Sequence, residues 1–102
     1  MIIINGAVFE WDEKKNKANK KKHHISFETA ANVFADENRL EYYDELHSEL
    51  EDRYITIGQV DDCIIVMVVY TDRDNITRLI SARLATNQEK EEYYNVTRYW
   101  FI

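Results

Sequence analysis

Arg53, Arg78 and Arg83 stand inside runs that otherwise alternate between apolar and polar residues, where arginine is seldom placed without a partner or a ligand. One reading has them snorkel to a sheet edge or pair with acids such as Glu41. The other has them converge on a phosphate, whose oxygens match the guanidinium fork. Positions 78 and 83 are an odd number apart, so a regular strand sends them to opposite faces. They meet only if a bulge intervenes or if Arg83 lies past the strand end. His23 and His47 are candidate proton donors or acceptors, because an imidazole can serve as either. His47 sits among Asp44, Glu45 and Glu49, acidic neighbours expected to suit it to an acid role. Of Tyr93 and Tyr94, one belongs in the core and the other is a candidate for stacking on a base.

Several chemistries are excluded. His47-Ser48-Glu49 has the form of a zinc-deaminase motif, but the chain has no Pro and one Cys, so the cysteine pair that would hold zinc is missing. His23 and His24 are adjacent and lack the spacing of a helical metal pair. Two glycines cannot build a phosphate-binding or dinucleotide loop, and there is no nucleophile elbow. The expectation is no metal and no cofactor. Cys63 opens an apolar run and reads as an inert core residue.

The 102 residues fit one domain, 1–102, with 45% apolar residues to build a core. No apolar run approaches the ~20 residues of a membrane span, and Met1 to Ala7 lacks the features of a secretory signal. A cytoplasmic protein without membrane contact is expected. The net charge of −6 hides two opposite segments. Asp12 to His24 has six lysines against two acids, whereas Asp36 to Asp52 has eight acids against Arg39. The first can grip phosphates or be a solvated helix face. The second can dock a basic partner, or discourage edge-to-edge pairing of sheets.

These residues need positioning elements. Ala7–Trp11 reads as a short strand or extended lead-in. Asp12 is an N-cap for a surface helix to about Lys22 with a thin stripe at Ala18. Ser26 caps a second helix, with Ile25 and Ala30 as a hydrophobic staple. Its inward face is Phe27, Ala30, Ala31 and Phe34, and it ends near Ala35. The period then changes to two, giving strands at 39–43, 53–60, 63–71 and 76–85. Asp61-Asp62 and Asp72 to Asn75 are the hairpin connections. Thr86 and Glu89 form a capping box opening a helix to about Arg98, with Tyr93, Val96 or Thr97, and Trp100 inward. The expected architecture is α+β: a four-stranded antiparallel sheet, two N-terminal helices and one C-terminal helix.

Along this frame, Phe9-Glu10-Trp11-Asp12-Glu13-Lys14-Lys15-Asn16, Asn19, Lys22-His23 and Ile25-Ser26-Phe27-Glu28 with Ala30 resemble the BrnT family of toxins. The similarity continues through Val33-Phe34-Ala35-Asp36, Asp44, His47, Glu51, Arg53, Ile57-Gly58 and Val69-Tyr70-Thr71. Arg78-Leu79-Ile80-Ser81-Ala82-Arg83, Ala85, Glu89 and Tyr94 complete it. His24 stands where the family usually has Gly, so the turn there is expected to differ.

The resemblance implies a RelE-like fold and a ribonuclease toxin of a type II toxin–antitoxin system. It implies translation arrest, neutralisation by a BrnA-like antitoxin in a hetero-oligomer, and repression of the shared operon. DNA contact then comes only through the antitoxin. For metal-independent RNA cleavage, Arg53, Arg78 and Arg83 match the family's strand arginines and supply donors to the phosphate. Lys15 and Lys22 are candidates for the flanking RNA backbone. His47, His23 and Tyr94 are candidates for proton transfer or base contact. The competing reading is a non-catalytic or degenerate toxin kept for binding its antitoxin or nucleic acid.

Overall fold

The computed structural model describes residues 1–61 and 63–99, with side chains to residue 96. Strand β1 (Ile2–Ile4) and strand β2 (Ala7–Glu10) form a hairpin. Asn5 and Gly6 link them, with φ of 50° and 83°, the left-handed pair that a two-residue type I′ turn requires. Helix α1 (Glu13–His23) follows. The Asp12 carboxylate accepts from the N–H groups of Lys14 and Lys15, which lower its pKa below the ordinary value, with further help from the charges of Lys15 and Arg78. Helix α2 (Phe27–Ala30) is capped by Ser26 and tightens into a 3-10 segment, Ala31–Ala35. The helical stripe therefore changes period midway, yet Phe27, Ala30 and Ala31 are all buried.

The remaining strands are β3 (Leu40–Tyr43), β4 (Tyr54–Asp61), β5 (Ile64–Arg73) and β6 (Ile76–Leu84). They end in α3 (Asn87–Tyr99), opened by the Thr86–Glu89 capping box: each residue's backbone N–H bonds the other's side chain. The sheet has six strands in the order β1-β2-β6-β5-β4-β3, and β2 runs parallel to β6. The expectation of four antiparallel strands is corrected on both counts. The four expected strands are present and pair antiparallel, but the N-terminal hairpin extends the sheet across a parallel seam.

One face of the sheet is covered by α2 and the 3-10 segment. Its core joins Phe9, Phe27, Val33, Val66, Val68, Leu79 and Ala82, each large side chain contributing roughly 1.5–3 kcal/mol on burial. Gly58 lies under this layer, where a Cβ would meet Val33 Cγ2 at 2.8 Å and the Asp36 carboxylate at 3.0 Å. On the other face a smaller cluster, Ile57, Ile65, Ala85 and Tyr93, is covered by α3.

Helix α1 is held by polar groups. Ala18 is exposed, and the buried positions are Asn16 and Asn19. Asn19 donates to the carbonyls of Ala82 (2.8 Å) and Ile25 and accepts from the Ala82 N–H (3.1 Å). Strand β2 stops at Glu10, opposite Arg78, so the edge of β6 beyond it is free, and one amide side chain takes the place of the missing strand. Asp36 does the same at the other side: β3 ends opposite Ile57, and the Gln59 N–H donates to Asp36 Oδ2. His24 adopts φ 62°, the left-handed conformation, so the turn keeps the geometry open to Gly although the residue carries a side chain.

Cys63 is exposed at φ 67° in the β4–β5 turn, not in the core. Asp61 belongs to β4, and Asp62 lies outside the described residues. The β5–β6 turn is two residues, Asp74 and Asn75, both at positive φ, shorter than the four expected. On α3, Tyr93 is buried and Val96 is 41% exposed. Thr97 is described for backbone alone, and Trp100 lies outside the described residues.

Candidate active site

The open face is built by register. Leu79 and Ala82 both point into the helix-covered core, three residues apart, because the β5–β6 ladder shifts between Val69 and Tyr70: Ser81 faces Val69 and Leu79 faces Tyr70. Ile80 is the extra residue. The bulge restores what odd spacing denies, and Arg78 and Arg83 emerge on the same open face.

Three rows of side chains cross this face. Ile55 pairs with Val69, and Val69 with Ser81, giving a central row. One step along, Ile57, Met67 and Arg83 align. On the other side Thr71 pairs with Arg78, and continuing the β4 register from Tyr54–Tyr70 sets Arg53 opposite Thr71. Arg53 and Arg78 thus flank one strand, with backbones about 10 Å apart. Arg83 lies two rows away, about 13 Å along the strands. The three arginines share a face but do not converge on one phosphate; they bracket an apolar centre.

Their partners differ. Arg78 pairs with Glu10 at 3.3 Å, its neighbour across the parallel seam. Arg83 makes a two-pronged contact with Glu89 at 2.7 and 3.0 Å. The Arg83 bond holds the Glu89 carboxyl below its ordinary pKa, aided against partial desolvation by the Thr86 N–H. Arg53 forms no ion pair among the described residues, and its Nε is buried without a hydrogen-bond partner. Glu41 pairs with Arg39 instead of with any of the three.

A loop closes over this face. Its 3-10 turn, Glu45–His47, follows Asp44, and Ser48 staples it by donating to the Asp44 carbonyl and accepting from the Arg53 N–H at 2.9 Å. His47 Nδ1 lies 2.9 Å from Asp44 Oδ2, with the histidine side chain 64% exposed and the aspartate 10%. A carboxylate can only accept, so Nδ1 carries the proton and Nε2 is left for solvent or a ligand. Two adjoining hollows of about 360 and 380 Å³ share Leu46, His47 and Arg53 in their walls.

The structure therefore brings Arg53 and His47 together, with Arg78 beside them and Arg83 further along. His23, half-buried at the end of α1, and Tyr94, half a turn from the Glu89 side of α3 and tilted against Tyr93, line neither hollow. Lys15 and Lys22 are exposed. Asn16 turns to Glu28 of α2 and Asn19 to β6. At about 100° per residue, both lysines lie beyond Asn19 on the side of α1 turned away from α2.

Sequence reasoning set Asp44 beside His47 but gave no role to Ser81, Arg73 or Glu51. Asp44 orients His47, and Ser81 walls the larger hollow. Arg73 grips Glu51 through two bonds of 2.9 and 3.0 Å. Those bonds, with the charges of Arg73, Arg53 and Arg78, hold the Glu51 carboxyl below its ordinary pKa against some desolvation. The two-residue spacings from Arg53 to Glu51 and from Thr71 to Arg73 were the available signal. Among the described residues, no group of three or more His, Cys, Asp or Glu is placed to hold a metal ion, and no helix is long and apolar enough to cross a membrane.

A family model described as the ribonuclease toxin, BrnT, of type II toxin–antitoxin systems matches residues 11–89. The 1.1 Å crystal structure of the Brucella abortus ribonuclease toxin, BrnT, is similar in fold, with a TM-score of 0.64. The two chains are 23% identical, over 79% of this chain and 99% of the other. No curated protein matches the sequence.

Proposed function

The chain belongs to the BrnT family of ribonuclease toxins of type II toxin–antitoxin systems, and we propose that it is itself a metal-independent endoribonuclease acting through the open sheet face. The observation that carries this is Arg53, which forms no ion pair among the described residues and keeps a buried Nε without a hydrogen-bond partner, in the same hollow as a carboxylate-oriented histidine.

In this reading the RNA 2′-oxygen attacks the adjacent phosphorus and the bond from phosphorus to the 5′-oxygen breaks. Arg53 donates to the equatorial oxygens as negative charge builds there, with Arg78 beside it. His47, protonated on both ring nitrogens, gives its Nε2 proton to the departing 5′-oxygen, and the proton lost from the 2′-hydroxyl passes to water. Asp44 accepts from Nδ1–H, which orients the ring and balances its positive charge. Arg83, Lys15 and Lys22 carry the neighbouring phosphates.

The same reading makes the protein a cytoplasmic toxin of RelE-like kind. It arrests translation by degrading RNA and is silenced by a BrnA-like antitoxin, with which it represses the operon. The test is incubation of the purified chain with RNA in excess chelator. Fragments ending in 2′,3′-cyclic phosphate are expected, and growth should stop on induction of the chain alone. Intact RNA, or undiminished cleavage by both Arg53→Ala and Arg83→Ala, overturns the site.

A second reading is favoured by the carboxylates already on Arg78 and Arg83: a degenerate toxin retained for binding antitoxin or nucleic acid. It predicts salt-dependent RNA binding with no cleavage and no effect on growth.

A further inference from the structure

We propose that the larger hollow on the open face is the seat of one of the two bases flanking the cut. This rests on the nuclease reading and extends it to what the enzyme recognises. The hollow, about 380 Å³, lies between the 44–48 loop and the central row of the sheet. Its floor is Ile55, Met67, Val69 and Ile80, with Leu46 above and the Ser81 hydroxyl on the wall.

Cations stand at both ends of this floor, Arg53 and Arg78 on one side and Arg83 on the other. A phosphate has nothing to gain from the apolar stretch between them, because it would lose water there without finding donors. A base has: its flat face sheds water onto aliphatic side chains while the phosphates on either side of its nucleotide reach the flanking cations. Arg53 favours RNA over an apolar peptide as the occupant, since a phosphate answers its charge whereas an apolar peptide offers only neutral carbonyl acceptors. Ser81 can both donate and accept, so it contacts the edge of a base of either class.

The experiment compares a short RNA carrying all its bases with the same RNA made abasic at each of the two flanking positions. For the wild type, removing one of these bases is expected to slow kcat/KM about tenfold, and removing the other to do little. Ser81→Phe, which fills the hollow, and Leu46→Ser, a change on a side chain 84% exposed, should each bring cutting of the intact RNA close to that of the abasic one. Coupling of this kind is not produced by a mere loss of stability. Equal cutting of intact and abasic RNA by the wild type overturns the seat while leaving the nuclease standing. So does Leu46→Ser protein that still distinguishes them, or loss of antitoxin binding by Ser81→Phe with its base preference intact. Wild-type protein that cuts neither RNA overturns the nuclease reading itself.

Discussion

The two faces of the sheet treat polar groups in opposite ways. On the helix-covered side, and at the edges beside it, polar side chains are matched. Asn19 serves both backbone groups of Ala82, Asn16 accepts from Phe27 N–H and donates to Glu28, and Asp36 receives Gln59 N–H and the Tyr93 hydroxyl. Burial and the Asp36 bond push the Tyr93 pKa up. On the open side, Arg53 keeps a buried Nε without a partner, and Leu46 and Leu50 stand 84% and 101% exposed. An unmatched buried donor costs roughly 1–3 kcal/mol, and the fold tolerates that cost where a ligand is proposed to arrive. The one buried side-chain donor without a partner among the described residues thus lies on the open face, beside arginines already paired with carboxylates.

The largest effect that separates the faces is on catalysis. His47→Ala should lower RNA cleavage on the order of 10²–10⁴-fold without moving the urea midpoint, because the ring is mostly exposed. A falling midpoint would make the loop part of the folding core and blur the distinction. Next comes Asn19→Ala on the matched side. It strands the N–H and C=O of Ala82 and should cost about 3 kcal/mol in urea unfolding, while cleavage per folded molecule stays unchanged. A loss below ~1 kcal/mol would show that water replaces the amide at the edge.

The smallest effect lies where the faces meet α3. Glu89 has a depressed pKa in the folded protein, chiefly through Arg83. Its contribution is complete above the ordinary glutamate value of 4.5 and is lost as pH falls through the lower folded value. Wild type should therefore lose about 1 kcal/mol more than Glu89→Gln on acidification, read from urea unfolding at neutral and acid pH. Identical pH profiles would mean that the ion pair adds nothing to stability.

Short-range signals were legible in the sequence. The caps at Asp12, Ser26 and Thr86, the apolar stripe from Phe27 and the alternation after Leu40 each depend on neighbours within a turn or a strand, and all are present. The Asn5-Gly6 pair carried an equally local hairpin signal, but the strand before it is three isoleucines with no polar alternation. The parallel seam and the clasp of Asn19 on Ala82, 63 residues away, have no local trace. Ala18 suited a contact stripe by residue type, yet the stripe is made by amides. For the site, parity between 78 and 83 showed that either a bulge or an Arg83 past the strand end was needed. Only the ladder revealed that it falls at Ile80 and that the arginines bracket a hollow instead of meeting.

The central claim is that the unpaired arginine of the open face serves RNA cleavage. Its most direct measurement is kcat/KM on one short RNA in excess chelator, for wild type and Arg53→Ala side by side, with folding of both checked by urea unfolding. The account predicts a loss of at least about 100-fold in a variant as stable as its parent or slightly more so. Cleavage at the parental rate by a folded Arg53→Ala protein contradicts it.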